Sequence, residues 1–107
     1  MPFFKSIKIK PNTNLYLWKI TESYDWFCEN VKLKEISFLR LESMKSESHR
    51  KGFLAVRMLL QEIGYSDYDL FYDDFGKPHL QDGKHISISH SNDFSAVVIS
   101  NEILGLD

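Results

Sequence analysis

The sequence predicts an α+β fold, a small antiparallel sheet packed against one long helix. Three observations carry this. Near the C-terminal end, His85 to Ser89 alternates like a strand, with Ile86 and Ile88 facing one way and Ser87 and Ser89 the other. A polar turn, Ser91-Asn92-Asp93, then leads into a second strand, Phe94 to Ile99. In the middle of the chain, Phe53, Val56, Leu60 and Ile63 fall on one stripe of a helix running from about Ser48 to Ile63, and Gly64 is a good stop. With 107 residues, the chain is one domain at most.

The other elements follow in order. Residues Phe4 to Ile9 alternate weakly between apolar and basic, and Pro11-Asn12-Thr13-Asn14 is turn chemistry. Leu15 to Ile20 is a clearer strand, rich in aromatic and branched residues. A helix is expected from Tyr24 to about Val31, with Thr21 or Ser23 as its N-cap. A helical region begins near Lys34, where Ile36, Phe38 and Leu39 recur at helical spacing. The polar segment Glu42 to His49 interrupts it before the long helix. Asp69 to Tyr72 reads as a short strand. Asp73 to Pro78 is a turn in which Gly76 supplies a positive φ and Pro78 stiffens the exit. Gln81 to Lys84 is a further turn, and Ile103 to Asp107 begins an apolar strand in which the chain stops.

Composition narrows the function classes. There is no apolar run long enough to span a membrane. The N-terminus lacks the charged-then-apolar order of an export signal, and Cys28 is the only cysteine, so a reducing, cytoplasmic setting is expected. The net charge of -2 argues against general nucleic-acid binding. Any anion site must come from local clustering of Lys, Arg and His. Aromatic residues make up 14%, enough in so short a chain to suggest surfaces that belong against something else.

One cluster invites such a site. Ser89, His90, Ser91 and Asn92 put hydroxyls, an imidazole and an amide in consecutive positions, a set that can bind phosphate or simply make a polar hairpin turn. Arg50 and Arg57 lie only about 20° apart around the long helix. Arg50, near the helix start, can join its N-terminal N–H groups around an anion. Equally, both arginines can be solvated flanks whose stems cover the core. Asp107 offers a carboxylate of the kind that suits Mg2+, or a solvated terminal group.

Four pieces fall in a recognisable order: His49-Arg50-Lys-Gly-Phe-Leu-Ala-Val-Arg57, Gly76-Lys77-Pro78, Ile86-Ser-Ile-Ser-His90-Ser91 and Leu104-Gly-Leu-Asp107. Order and spacing resemble the N-terminal half of the Sfp-type 4′-phosphopantetheinyl transferases, over about residues 15–107 and most sharply over 50–107. The resemblance implies one lobe of a pseudo-two-fold α+β fold, so that residues 1–107 form an N-terminal lobe whose partner lobe is missing. It implies Mg2+-dependent transfer of 4′-phosphopantetheine from coenzyme A to a serine of an acyl, peptidyl or aryl carrier protein. Arg50 would contact a coenzyme A phosphate. Gly76, Lys77 and Pro78 would lie along the adenine and 3′-phosphate. Ser89 and His90 would hold phosphates, and Asp107 would bind Mg2+.

The departures matter as well. The family's metal strand continues Asp-Ile-Glu, whereas this sequence ends at Asp107. The Trp-x-x-Lys-Glu-Ala helix with its catalytic lysine belongs to the second half, so no catalytic residue is assigned here and the lobe alone is expected to be inactive. Gly52 stands where many relatives carry Glu. The alternatives are self-association through the exposed lobe face and a non-catalytic module that binds coenzyme A or a nucleotide phosphate. No nucleic-acid or membrane partner is expected.

Overall fold

A computed structural model describes residues 3–101. Six strands and three α-helices are found among them: β1 (Phe3–Lys10), β2 (Thr13–Lys19), α1 (Tyr24–Asn30), α2 (Glu35–Ser43), α3 (Glu47–Glu62), β3 (Leu70–Tyr72), β4 (Pro78–Leu80), β5 (His85–His90) and β6 (Phe94–Ser100). The fold is α+β, as the hydrophobic pattern predicts. Ile103 to Asp107, the expected last strand and candidate metal ligand, lies outside the described residues.

The main sheet has the order β1-β2-β6-β5, with every neighbouring pair antiparallel. Register decides which side chains share a face. Trp18 pairs with Ser95, which pairs with His90, and Tyr16 pairs with Val97, which pairs with Ile88. Because side chains alternate along a strand, this puts Ile86, Ile88 and His90 on the face that carries Trp18 and Val97.

Helix α3 lies over that face. Every residue from Gly52 to Leu60 is buried, which a single amphipathic stripe would not produce. The sheet covers one side of the helix, and α1 and the 67–80 region cover others. Trp18, Phe27, Leu54, Leu59, Leu60, Leu70 and Val97 are almost wholly out of water. Burying each such side chain is worth about 1.5–3 kcal/mol. Ser46 caps α3 by accepting a hydrogen bond from the His49 amide, and Gly64, at φ 97°, follows its end.

Ser23 is the N-cap of α1, and its hydroxyl accepts from the Trp26 amide. Helix α2 departs from the expected packing. Ile36, Phe38 and Leu39 face solvent, while Ser37 and Leu41 turn inward. Polar anchors set this rotation: the Lys34 amide donates to Asp67 and the Lys34 ammonium donates to the Leu70 carbonyl.

The short hairpin β3–β4 stands apart from the main sheet. Pro78 opens β4, a position where no ladder donor is demanded. No helix among the described residues is long and apolar enough to cross a membrane.

Candidate anion-binding groove

The face shared by β5 and the β3–β4 hairpin opens into a cavity of about 500 Å³, a size suited to a small-molecule ligand. Its walls include Gly76, Lys77 and Pro78 from the hairpin turn and Ile86, Ile88 and His90 from β5. A smaller cavity of about 130 Å³ adjoins it, sharing Tyr72, Ile88 and His90. The two make one groove between the hairpin, β5 and the first half of α3.

Its charged lining side chains are basic, two of them already met by carboxylates behind the wall, His79 by Asp73 and Arg57 by Asp67. Lys77, His79, His85 and His90 line the larger cavity. Arg40, His49 and Arg57 line the smaller one. Among the described residues, no Asp or Glu lines either. In a chain of net charge -2 this is a local concentration of basic groups, and it fits an anion.

The turn carrying Gly76-Lys77-Pro78 is built by Asp73. Its carboxylate accepts from the Phe75 amide at 2.9 Å and the Lys77 amide at 3.0 Å, and it meets His79 Nε2 at 2.8 Å. The His79 contact, then the Lys77 amide, holds the Asp73 carboxyl below its usual value. Gly76 takes φ 81°, in the left-handed region that favours glycine. The Lys77 ammonium has no ion-pair partner among the described residues.

His90 is seated by the helix. Its ring stacks on His49 with centroids 5.4 Å apart and planes 27° from parallel. A methyl group on Gly52 would lie 2.9 Å from His90 Nδ1, closer than real contacts allow. Burial, and then the neighbouring His49, hold the His90 imidazole below its ordinary value. Next to it, the Ser95 hydroxyl donates to the Gly52 carbonyl at 2.9 Å, so strand and helix touch through their smallest side chains.

The arginines behave differently from each other. Arg57 is buried, bonded through Nε to Asp67 at 3.3 Å and through Nη2 to the Tyr72 hydroxyl at 3.2 Å. It also lies 3.8 Å over the Phe53 ring. Its charge is therefore largely answered, and its effect on the groove is to hold Tyr72 in the wall. Arg40 covers the Tyr72 ring at 4.4 Å.

The residues singled out from the sequence thus divide. Gly76, Lys77, Pro78 and His90 come together around the larger cavity. Arg50 does not line it. Its Nε donates to the Met44 carbonyl at 2.7 Å, just past the C-terminus of α2, where helix carbonyls favour a cation. Ser89 is exposed and, by strand alternation, faces away from His90. Ser91 and Asn92 serve the turn: the Ser91 hydroxyl accepts from the Phe94 amide, and Asn92 accepts from Ser48 on α3.

Sequence reasoning passed over Arg40, Tyr72, His79 and His85. They come from four separate elements, and no local spacing joins them. No protein-family model matches this chain, and no curated protein matches it.

Proposed function

We propose that the groove binds the phosphates of coenzyme A, and that the chain is the N-terminal lobe of a 4′-phosphopantetheinyl transferase. The observation that carries this is the carboxylate-free basic lining around the Gly76-Lys77-Pro78 turn and His90. Coenzyme A bears three phosphates, and its adenosine half needs a cavity of this size beside them. In this reading Lys77 and His90 hold phosphate oxygens, and Arg40 adds positive field from the far side. Arg50 would reach a phosphate only by releasing the Met44 carbonyl, and Ser89 only from the opposite side of the strand.

The chemistry served would be attack of a carrier-protein serine on the pyrophosphate of coenzyme A. Positioning and charge neutralisation supply most of the catalysis in phosphoryl transfer. The described residues alone do not make a metal site. The Mg2+ that this reading implies would take Asp107 as one of its ligands. The basic groove would therefore bind and orient substrate, and the isolated chain would not turn it over. A cytoplasmic setting fits, since coenzyme A and carrier proteins meet there.

Calorimetric titration with coenzyme A and with dephospho-coenzyme A tests the proposal. Coenzyme A should bind more tightly, and Lys77→Ala should weaken it about tenfold, the value of one charge-assisted hydrogen bond. Absence of coenzyme A binding at millimolar concentration would end the proposal. Binding that Mg2+ does not change would favour a non-catalytic coenzyme A module instead. Formation of holo-carrier protein by the isolated chain would refute its predicted inactivity.

A further inference from the structure

We propose that His49 and His90 act together as a proton-taking clasp, so that an anionic phosphate or sulfate group enters the groove along with a proton. The placement of the clasp deepens the coenzyme A reading above, but the argument needs only an oxyanion.

The geometry comes first. Two imidazole rings 5.4 Å apart and nearly parallel form a pair whose protonations oppose each other. The His90 ring packs against the backbone of α3 at Gly52, where a Cβ would lie 2.9 Å from Nδ1. The groove around the pair carries further basic groups, of which Arg57 and His79 already meet carboxylates. Arg40 from α2, Arg57 from α3, and Lys77 and His79 from the hairpin side line the same groove. Tyr72 from β3 and His85 from β5 are the other titratable side chains facing it. Three acids on the adjoining elements already have partners: Asp67 with Arg57, Asp73 with His79, and Glu47 with Lys51 at 3.7 Å. Burial, and then the facing His49, therefore keep the His90 ring short of protons.

An oxyanion reverses the balance. Placed against the rings, it accepts hydrogen bonds and offsets the positive field, which favours the imidazolium form. By linkage, an anion that raises proton affinity must itself bind more tightly when protons are abundant. One linked proton changes affinity by up to about tenfold per pH unit across the window where the pair titrates.

Sulfate is the appropriate probe, because it stays fully ionised while the histidines titrate. The full 107-residue chain would be titrated with sulfate between about pH 6 and pH 8, following the His49 and His90 Cε1–H signals by NMR. Proton uptake would be measured by calorimetry in buffers of different ionisation heat. Sulfate affinity should fall as pH rises, with net proton uptake and an upward shift of both ring titrations. His49→Gln relieves the opposition to His90, so the affinity window should move to higher pH. Sulfate affinity that is flat with pH, or no sulfate binding at the lower pH, would overturn the clasp. If sulfate behaves as expected but coenzyme A does not bind, the clasp stands and the coenzyme A assignment falls. If coenzyme A binds while both ring titrations stay unmoved, the assignment stands and the clasp falls.

Discussion

At the scale of single residues, Gly52 and His90 set each other's limits. Alanine is the better helix former by about 1 kcal/mol, so on propensity alone Gly52→Ala would stabilise α3. The added methyl would lie 2.9 Å from His90 Nδ1, and overpacking of that kind costs about 1–3 kcal/mol. The steric cost wins or His90 moves. Because the His90 ring is exposed at the end of β5, it can give way: we predict a little-changed unfolding midpoint for Gly52→Ala and a His90 titration that returns toward its ordinary value, read by NMR. His90 also makes stability depend on pH. Its value in the folded chain lies below the ordinary 6.5, so the unfolded chain takes the proton first. Stability contributed by the neutral ring is complete above the ordinary value, is lost as pH falls below it, and levels off beneath the folded value. Urea unfolding of the native chain and His90→Gln should show the variant with a flatter profile in that window. The sequence contained half of this. Alternation that puts Ile86 and Ile88 on the helix-facing side of the sheet puts His90 on that side as well, exposed at the strand end, and Ser89 on the other. The stacking on His49 joins residues 41 positions apart and left no local sign.

At the scale of elements, the long helix and the β5–β6 hairpin were legible because each repeats its pattern over many residues. Of the short hairpin, β3 was legible as the strand expected at Asp69 to Tyr72, but β4 was not, since a strand of three residues opened by Pro78 is too short for a period to register. Its turn chemistry was visible in Gly76 and Pro78, but the organiser, Asp73, looked like any turn acid. Asp73→Ala removes the acceptor for two backbone amides and for His79. Faster amide exchange at Phe75 and Lys77 and weaker coenzyme A binding should follow, with the rest of the chain folded. Acid should mimic the variant: the depressed Asp73 value means that the turn keeps its bonds above the ordinary carboxylate range and loses them as pH falls through the folded value. The Arg57–Asp67 pair fixes the other end of the hairpin and is buried. Removing one member strands the other, at a cost of about 3–5 kcal/mol. Arg57→Met and Asp67→Leu should each destabilise strongly by urea unfolding, and the double variant should lose less than their sum.

At the scale of the whole molecule, the apolar surface divides between a core and an outlying face. Periodicity alone placed Ile36 and Leu39 on a helix, and that was correct. It did not say which way the helix turns, because the rotation is set by Lys34 reaching Asp67 and the Leu70 carbonyl, contacts some thirty residues away in sequence. The result is a short helix that buries Leu41 but leaves its other two large aliphatic side chains in water, Ile36 at 70% and Leu39 at 61% exposure. These side chains gain little from folding, so they contribute little to its stability. Ile36→Glu combined with Leu39→Glu should therefore leave the unfolding free energy within about 0.5 kcal/mol of the native chain's, read by urea unfolding. Coenzyme A affinity should also be unchanged, because neither residue lines the basic groove. Self-association would respond differently. If copies of the lobe meet through this face, as an exposed aromatic-rich lobe suggests, two new charges at the contact would oppose one another and bar it from water-excluding packing. Sedimentation velocity over a concentration series should then show the native chain forming a larger species and the double variant remaining monomeric. A native chain that stays monomeric throughout would refute association through α2 while leaving the groove's assignment intact, since Lys77 and His90, which carry the phosphate argument, lie on other elements.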